Sequence, residues 1–267
     1  DLLRQLENDS VSIVNVLPKR FWMLFGYADF LLNELKFFPI FGLSRINRLK
    51  RALEESIYDV VHLIEFQHAG YLYMGLHFDK HPKWKTILTN LGSDIYYFSK
   101  CPEHRNKIMD LLRNVDAYSA ECLRDYKLAR EFGFVGTELP LIPNAGGFSR
   151  EVFEIAQVPV LNRREIFLKG YGGEFGLPEV LIAVSEKILQ EYPEYVINIV
   201  SVTPDVLQKV ITLKKNFPGR VNYWSTRRPI PHKQVLEILG RSLIYFGFSK
   251  SDGISTTFLE SLIMGCY

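Results

Sequence analysis

The sequence predicts an α/β protein made of two doubly wound domains, each with a parallel sheet covered by helices. Three observations carry this. Short β-branched or apolar runs alternate with helically spaced stretches through most of the chain. The rhythm breaks around residues 145–163, where glycines and a proline stand and no clear strand is present. The 267 residues are also enough for two domains of ordinary size.

In order, the predicted strands are SIVNVL (12–17), DVVHLIEF (59–66), TILTNLG (86–92), AYSAEC (117–122) and LPLIPN (139–144). Beyond the break come EIFLKGY (165–171), VINIVSV (196–202), VNYWS (221–225) and LIYFGFS (243–249). Between them lie stretches of helical spacing such as RINRLKRALEESI, EHRNKIMDLLRNV, PEVLIAVSEKILQEY and HKQVLEILGRS. Strands that alternate with helices need parallel crossovers, which cover both faces of a sheet. The break is read as the crossover between sheets, with domains at 1–150 and 151–267 and a flexible joint at 145–149.

Composition narrows the function. Apolar content of 47% and charged content of 23% describe a globular protein. A formal net charge of +2 argues against a nucleic-acid partner. Cys101, Cys122 and Cys266 are odd in number and far apart, which fits a reducing, cytoplasmic setting without a disulfide framework. No stretch of eighteen uncharged apolar residues suggests a transmembrane helix. The chain opens on Asp1 rather than Met and stops at Tyr267, just past an expected helix end at Gly265, so a fragment of a longer protein is expected. Segment 19–51 is aromatic-rich and flanked by basic residues. It reads either as a core helix with a loop or as a surface for peripheral contact with anionic lipid.

In an open parallel sheet, ligands sit beyond the carboxyl ends of the strands. After EIFLKGY this rule selects Lys169 and Gly170, followed by Gly172 and Gly173. After LIYFGFS it selects SDGIST, leading into a helix whose first turn holds Thr256 and Thr257. The first amides of that helix lack intrahelical partners and carry partial positive charge, so with Lys169 they suit a phosphate or diphosphate. Gly253 permits close approach of the backbone. Glu260, one turn in, could accept from a ribose diol. Plainer readings stand beside these. Thr257 and Glu260 have capping-box spacing, Ser251, Asp252 and Gly253 are turn formers, and Lys169 could be a surface cation.

Together these residues resemble the donor-binding domain of family-4 glycosyltransferases of the GT-B architecture (glycosyl transferases group 1). That family carries two glutamates separated by seven residues, then Gly at the helix end. Here the stretch reads Asp252-Gly-Ile-Ser-Thr-Thr-Phe-Leu-Glu260 followed by SLIMGC. IFLKGYGG is similar to the strand with the phosphate-binding Lys-Gly, the stretch from DAYSAEC to LPLIPNAGGF to the end of the acceptor domain and the crossover, and TNLGSDI to an acceptor-domain loop.

The resemblance implies two Rossmann-like domains facing across a cleft, the first for the acceptor and the second for a nucleotide-sugar donor. It implies a retaining, metal-independent hexosyltransferase acting on a carbohydrate or lipid-linked acceptor, in polysaccharide biosynthesis, with no cofactor beyond the donor substrate. Lys169 would contact the diphosphate and Asp252 the transferred sugar, as the catalytic pair. Thr256 and Thr257 would complete the phosphate cradle, Glu260 would bind the ribose, and Ser225 and Thr226 would lie near the base. Gly92, Ser93 and Asp94 would line the acceptor side, with His68 as a further candidate there.

The sequence departs from the pattern in several places. Asp252 is shorter than the expected glutamate, and Leu91 stands where a relative has a cleft histidine. Arg163 and Arg164 precede their strand and would lie at its far end, away from Lys169. The acceptor domain's glycine-rich loop is not identifiable. Asp252 and Leu91 keep open a non-catalytic nucleotide-sugar-binding module. Beyond the resemblance, His62 reads as a core histidine on an alternating strand, with a cleft role for it and Gln67 as the other reading. His77, His81, His104 and His232 show no metal-ligand spacing. A dinucleotide oxidoreductase is disfavoured because no Gly-x-Gly-x-x-Gly follows a strand.

Overall fold

The computed structural model describes residues 40–55, 57–76 and 83–267. The run at 12–17, the part of 19–51 before Ile40, His77 and His81 fall outside the described residues. The chain divides into two compact units, the first ending at Leu141 and the second spanning Ile142–Tyr267. The division falls before the expected boundary near Arg150, because Phe148, Val152 and Ile155 pack into the core of the second unit.

The first unit runs α1 (Ile40–Glu54), β1 (Val60–Ile64), a π-helical turn (Glu65–Gly70) continuing into α2 (Tyr71–Met74), and β2 (Lys85–Thr89). It continues with α3 (Pro102–Arg113), β3 (Ala117–Ser119), α4 (Leu123–Glu131) and β4 (Thr137–Glu138). The strands are all parallel and ordered β1-β2-β3-β4. Leu88, Tyr118, Ile108 and Leu112 are fully buried at its core. The strand expected at 139–144 is not formed. Pro140 and Pro143 lack the N–H that a ladder needs, so pairing ends after the Leu139 amide donates to the Tyr118 carbonyl. His62 is not a core residue either: it is exposed on the same face of β1 as Val60 and Ile64, while Leu63 faces inward. Its Nε2 lies 2.6 Å from the Thr89 hydroxyl.

The second unit holds α5 (Arg150–Phe153), β5 (Glu165–Lys169), α6 (Pro178–Glu191), β6 (Val196–Val202) and α7 (Pro204–Asn216). Then follow β7 (Val221–Ser225), α8 (His232–Arg241), β8 (Ser242–Phe246) and α9 (Thr256–Ile263). Pro178 and Pro204 open their helices, where a missing N–H costs no bond and φ is already set. The strands are parallel in the order β7-β6-β5-β8. On β5, Ile166 and Leu168 face one apolar cluster and Phe167 the other, so this strand is covered on both sides.

At the entry side of this sheet a polar chain crosses three strands. Asn222 Nδ2 donates to Asn198 Oδ1 (3.1 Å), Asn198 Nδ2 to Glu165 Oε2 (2.7 Å), and Arg241 Nε to Glu165 Oε1 (2.9 Å). Arg163, 2% exposed, stands at the same end. Its guanidinium donates to the carbonyls of Val158 (2.8 Å), Ser242 (2.9 Å) and Gly265 (3.0 Å), joining β5 to β8 and to the end of α9. As expected, it lies away from Lys169, and its task there is structural.

Candidate functional site

From β5 the chain proceeds to β6 and β7 in one direction, then returns to place β8 on the other side of β5. The order reverses between β5 and β8. At such a reversal the loops leaving two neighbouring strands diverge, and a crevice opens beyond their carboxyl ends. Lys169 ends β5, and the loop carrying Asp252 and Gly253 leaves β8. Topology thus brings together two segments that are far apart in sequence.

The loop after β5 is held rather than loose. The Gly170 amide donates to the Val200 carbonyl (2.8 Å) and its carbonyl accepts from Thr203 N (3.1 Å). Gly172 N donates to the Thr203 hydroxyl (2.9 Å) and Gly173 N to Asp205 Oδ2 (2.7 Å). A Cβ on Gly172 would lie 2.1 Å from that carboxylate, so the residue must be glycine for the loop to sit on the start of α7. Bonds from the Thr203 hydroxyl and the Gly173 amide hold the Asp205 carboxyl below its usual range.

Around the crevice, Lys169, Tyr171, Tyr245, Asp252, Gly253 and Ser255 line a cavity of about 450 Å³. Lys169 Nζ donates to the Tyr171 hydroxyl at 2.9 Å and stands 4.6 Å from the centre of that ring. Burial raises the Tyr245 hydroxyl above its ordinary pKa, with Asp252, Tyr171 and Glu260 adding in the same direction, and its oxygen lies 3.4 Å from Ser255 Oγ. No sequence motif singles out either tyrosine; position after β5 and on β8 is the available signal. Asp252 is exposed, and its amide donates to Ser249 Oγ (3.2 Å).

The cap of α9 differs from the spacing-based reading. Ser255, not Thr257, is the N-cap: its hydroxyl accepts from Phe258 N at 3.2 Å. Thr256 and Thr257 are then the first two helical residues, whose amides face out of the helix end. Thr256 and Glu260 line a second and larger cavity, about 1110 Å³, with His232, Lys233, Arg241 and the 145–158 segment. Five of the predicted donor residues are therefore divided between two cavities of one unit, while Gly170 and Thr257 line neither. Lys169, Asp252 and Gly253 border the smaller, and Thr256 and Glu260 the larger. Ser225 and Thr226, at the end of edge strand β7, line neither.

Glu260 is 3% exposed, and its Oε1 lies 2.6 Å from Nε2 of His232, whose side chain is 63% exposed. The plainer reading of Glu260 as a capping residue does not hold, since its carboxylate pairs with His232. His232 was set aside on the sequence because metal spacing was the test applied; its place at the first residue of α8 is what matters.

In the first unit, Gly92, Ser93 and Asp94 follow β2. Asp94 Oδ2 accepts from Phe66 N (3.1 Å) and Leu91 N (3.0 Å), so it ties the loops after β1 and β2 together. Burial pushes its carboxyl up to about 6 against the lowering effect of those amides. Gln67 Nε2 donates to the Asp94 carbonyl (3.1 Å), and Arg124 Nη2 to that of Gly92 (3.2 Å). His68 is exposed and its ring and amide bond Glu65 rather than this loop. Among the described residues, no group of three or more His, Cys, Asp or Glu could hold a metal ion.

The two parallel α/β units, the second with its crevice at the strand reversal, match the fold of solved glycosyltransferases of the GT-B architecture. A trehalose-6-phosphate synthase studied with bisubstrate glycomimetics aligns over 85% of this chain and 62% of its own, with 12% identity and a TM-score of 0.60. The α,α-trehalose 6-phosphate synthase of Burkholderia multivorans aligns over 84% and 59%, with 11% identity and a TM-score of 0.61. TarM of S. aureus, in complex with UDP, fondaparinux and α-GlcNAc-glycerol, aligns over 83% and 44%, with 12% identity and a TM-score of 0.60. The chain thus spans less than two thirds of each of these structures. No protein-family model matches the sequence, and no curated protein does.

Proposed function

We propose that the chain is a glycosyltransferase whose second unit binds a nucleoside-diphosphate sugar. One observation carries this reading: Lys169 and Ser255, the N-cap of α9, line one cavity at the point where the strand order reverses. A departing nucleoside diphosphate gathers negative charge on its phosphate oxygen as the bond to the anomeric carbon breaks. An ammonium and a helix's positive end, fixed in place beforehand, stabilise that charge without reorganising. An acceptor hydroxyl forms the new bond to the anomeric carbon and gives up its proton. Asp252, beside Lys169, is the group for the sugar hydroxyls, and Glu260 the group for the ribose. The family resemblance adds retention of configuration, independence from metal and a carbohydrate or lipid-linked acceptor, and the aromatic, basic sequence at 19–51 adds peripheral contact with the cytoplasmic face of a membrane.

The test is to incubate the protein with a panel of nucleotide sugars and measure free nucleoside diphosphate, with and without candidate acceptors. Release that depends on donor and acceptor supports transfer. A specific observation favours a second reading, a nucleotide-sugar-binding module without turnover: among the described residues Lys169 is the only Lys or Arg lining the smaller cavity, and its ammonium already bonds Tyr171. Binding of nucleotide sugars with no release from any of them would establish that alternative. Absence of binding would remove both.

A further inference from the structure

A buried carboxylate must be paired or hydrogen-bonded, because taking a bare charge out of water is costly. Glu260 meets this requirement through His232, and the geometry has a consequence for recognition. The bond needs a proton on Nε2, so the imidazole is the donor and Oε1 is committed to it. The carboxylate plane is then fixed, and Oε2 remains for a hydroxyl pair entering the larger cavity, which both residues line. His232 directly follows Pro231 at the start of α8, while Glu260 belongs to α9, so the pair also joins the two helices that wall the cavity.

We infer that His232 is the positioning residue for ribose recognition: it orients Glu260 so that the carboxylate discriminates a nucleotide bearing a vicinal diol from one lacking a hydroxyl. The inference rests on the donor reading above and adds to it the residue that makes Glu260 selective. Tyr171 and Lys169 border the other cavity, so the lysine's contact to the diphosphate is separate from this pair. A change at His232 therefore alters selection of the sugar ring of the nucleotide and leaves the phosphate contribution in place.

The experiment is calorimetric titration of the full chain with UDP and GDP, each as the ribo- and the 2′-deoxy form, for the wild type, His232→Ala and His232→Gln. Circular dichroism of each variant checks the fold. The wild type is expected to prefer the ribo form by roughly tenfold or more, the usual effect of one hydrogen bond to a charged group. In His232→Ala the preference should fall to about twofold or less. His232→Gln retains an N–H donor and should recover most of it. A merely structural histidine would lower affinity for both forms equally, and a folded His232→Ala variant that keeps the full preference overturns the inference while leaving the donor reading intact. Failure of the wild type to bind either diphosphate in either form overturns the donor reading, and this inference with it.

Discussion

The Tyr171 hydroxyl accepts from the Lys169 ammonium at 2.9 Å across the mouth of the smaller cavity, and the ring lies 4.6 Å from the same charge. The pair fixes where positive charge is offered. An untethered lysine would lose side-chain freedom on binding an anion, whereas one already placed by a neighbour loses less.

Lys169→Ala is expected to lower nucleotide-sugar turnover by about 100- to 1,000-fold, the usual loss when one well-aimed charge-stabilising donor is removed. The melting temperature should change little, since the side chain ends at the cavity rather than in the core. Tyr171→Phe keeps the ring and removes only the hydroxyl, so its loss should be nearer tenfold. Equal turnover in Lys169→Ala and wild type would remove the charge-stabilising role. Steady-state assays of released diphosphate distinguish these outcomes.

Gly172→Ala should damage the loop that follows Lys169. The added methyl would meet Asp205 Oδ2 at 2.1 Å and Val206 Cγ2 at 2.4 Å. Crowding of this kind costs about 1–3 kcal/mol. Denaturant unfolding measures the cost, and the KM for the donor should rise with it.

Arg163→Met removes a buried guanidinium that donates to the half-buried Val158 carbonyl, the exposed Gly265 carbonyl and the buried Ser242 carbonyl, the last of which has a second donor, Cys266 Sγ at 3.5 Å. A buried acceptor left without a donor costs about 1–3 kcal/mol. A total loss of about 1–3 kcal/mol is expected in urea unfolding, and no measurable loss would show that these bonds matter little.

Stability should vary with pH through Asp94. Its carboxyl titrates at about 6 in the folded protein, against about 3.9 for an unfolded aspartate. The folded state binds this proton more tightly, so the group's contribution is fully present below about pH 4 and is lost as pH rises through about 6. Asp94→Asn keeps an acceptor for the Phe66 and Leu91 amides and cannot ionise. Above pH 6 it should be more stable than wild type by about 2 kcal/mol, and the difference should shrink towards zero near pH 4. Paired urea titrations between pH 4 and 7 check the slope.

Much of this architecture was legible because strand and helix periods differ. The apolar runs at 196–202 and 221–225 form strands as written, and the run at 165–171 forms one that stops two residues sooner, at Lys169. Local chemistry misled where the structure had a competing partner. Thr257 and Glu260 have the spacing of a cap, but Ser255 two residues earlier takes the helix start and His232 takes the carboxylate. The run LPLIPN has strand composition, yet its prolines end the ladder. His62 has the alternation of a core strand, but its face of β1 is open. The division of the donor residues between two cavities, and the pairing of Lys169 with Tyr171, depend on side-chain direction across different elements, which spacing does not encode.

Strands that are greasy along both surfaces have little reason to prefer one alignment over another, since sliding by two residues would bury similar area. The chain from Asn222 through Asn198 and Glu165 to Arg241 removes that freedom, because each amide and carboxylate finds its mate at one setting only. A strand's length away, that setting determines the height at which Lys169 emerges. The rim that carries Lys169 is levelled from the opposite end of the sheet.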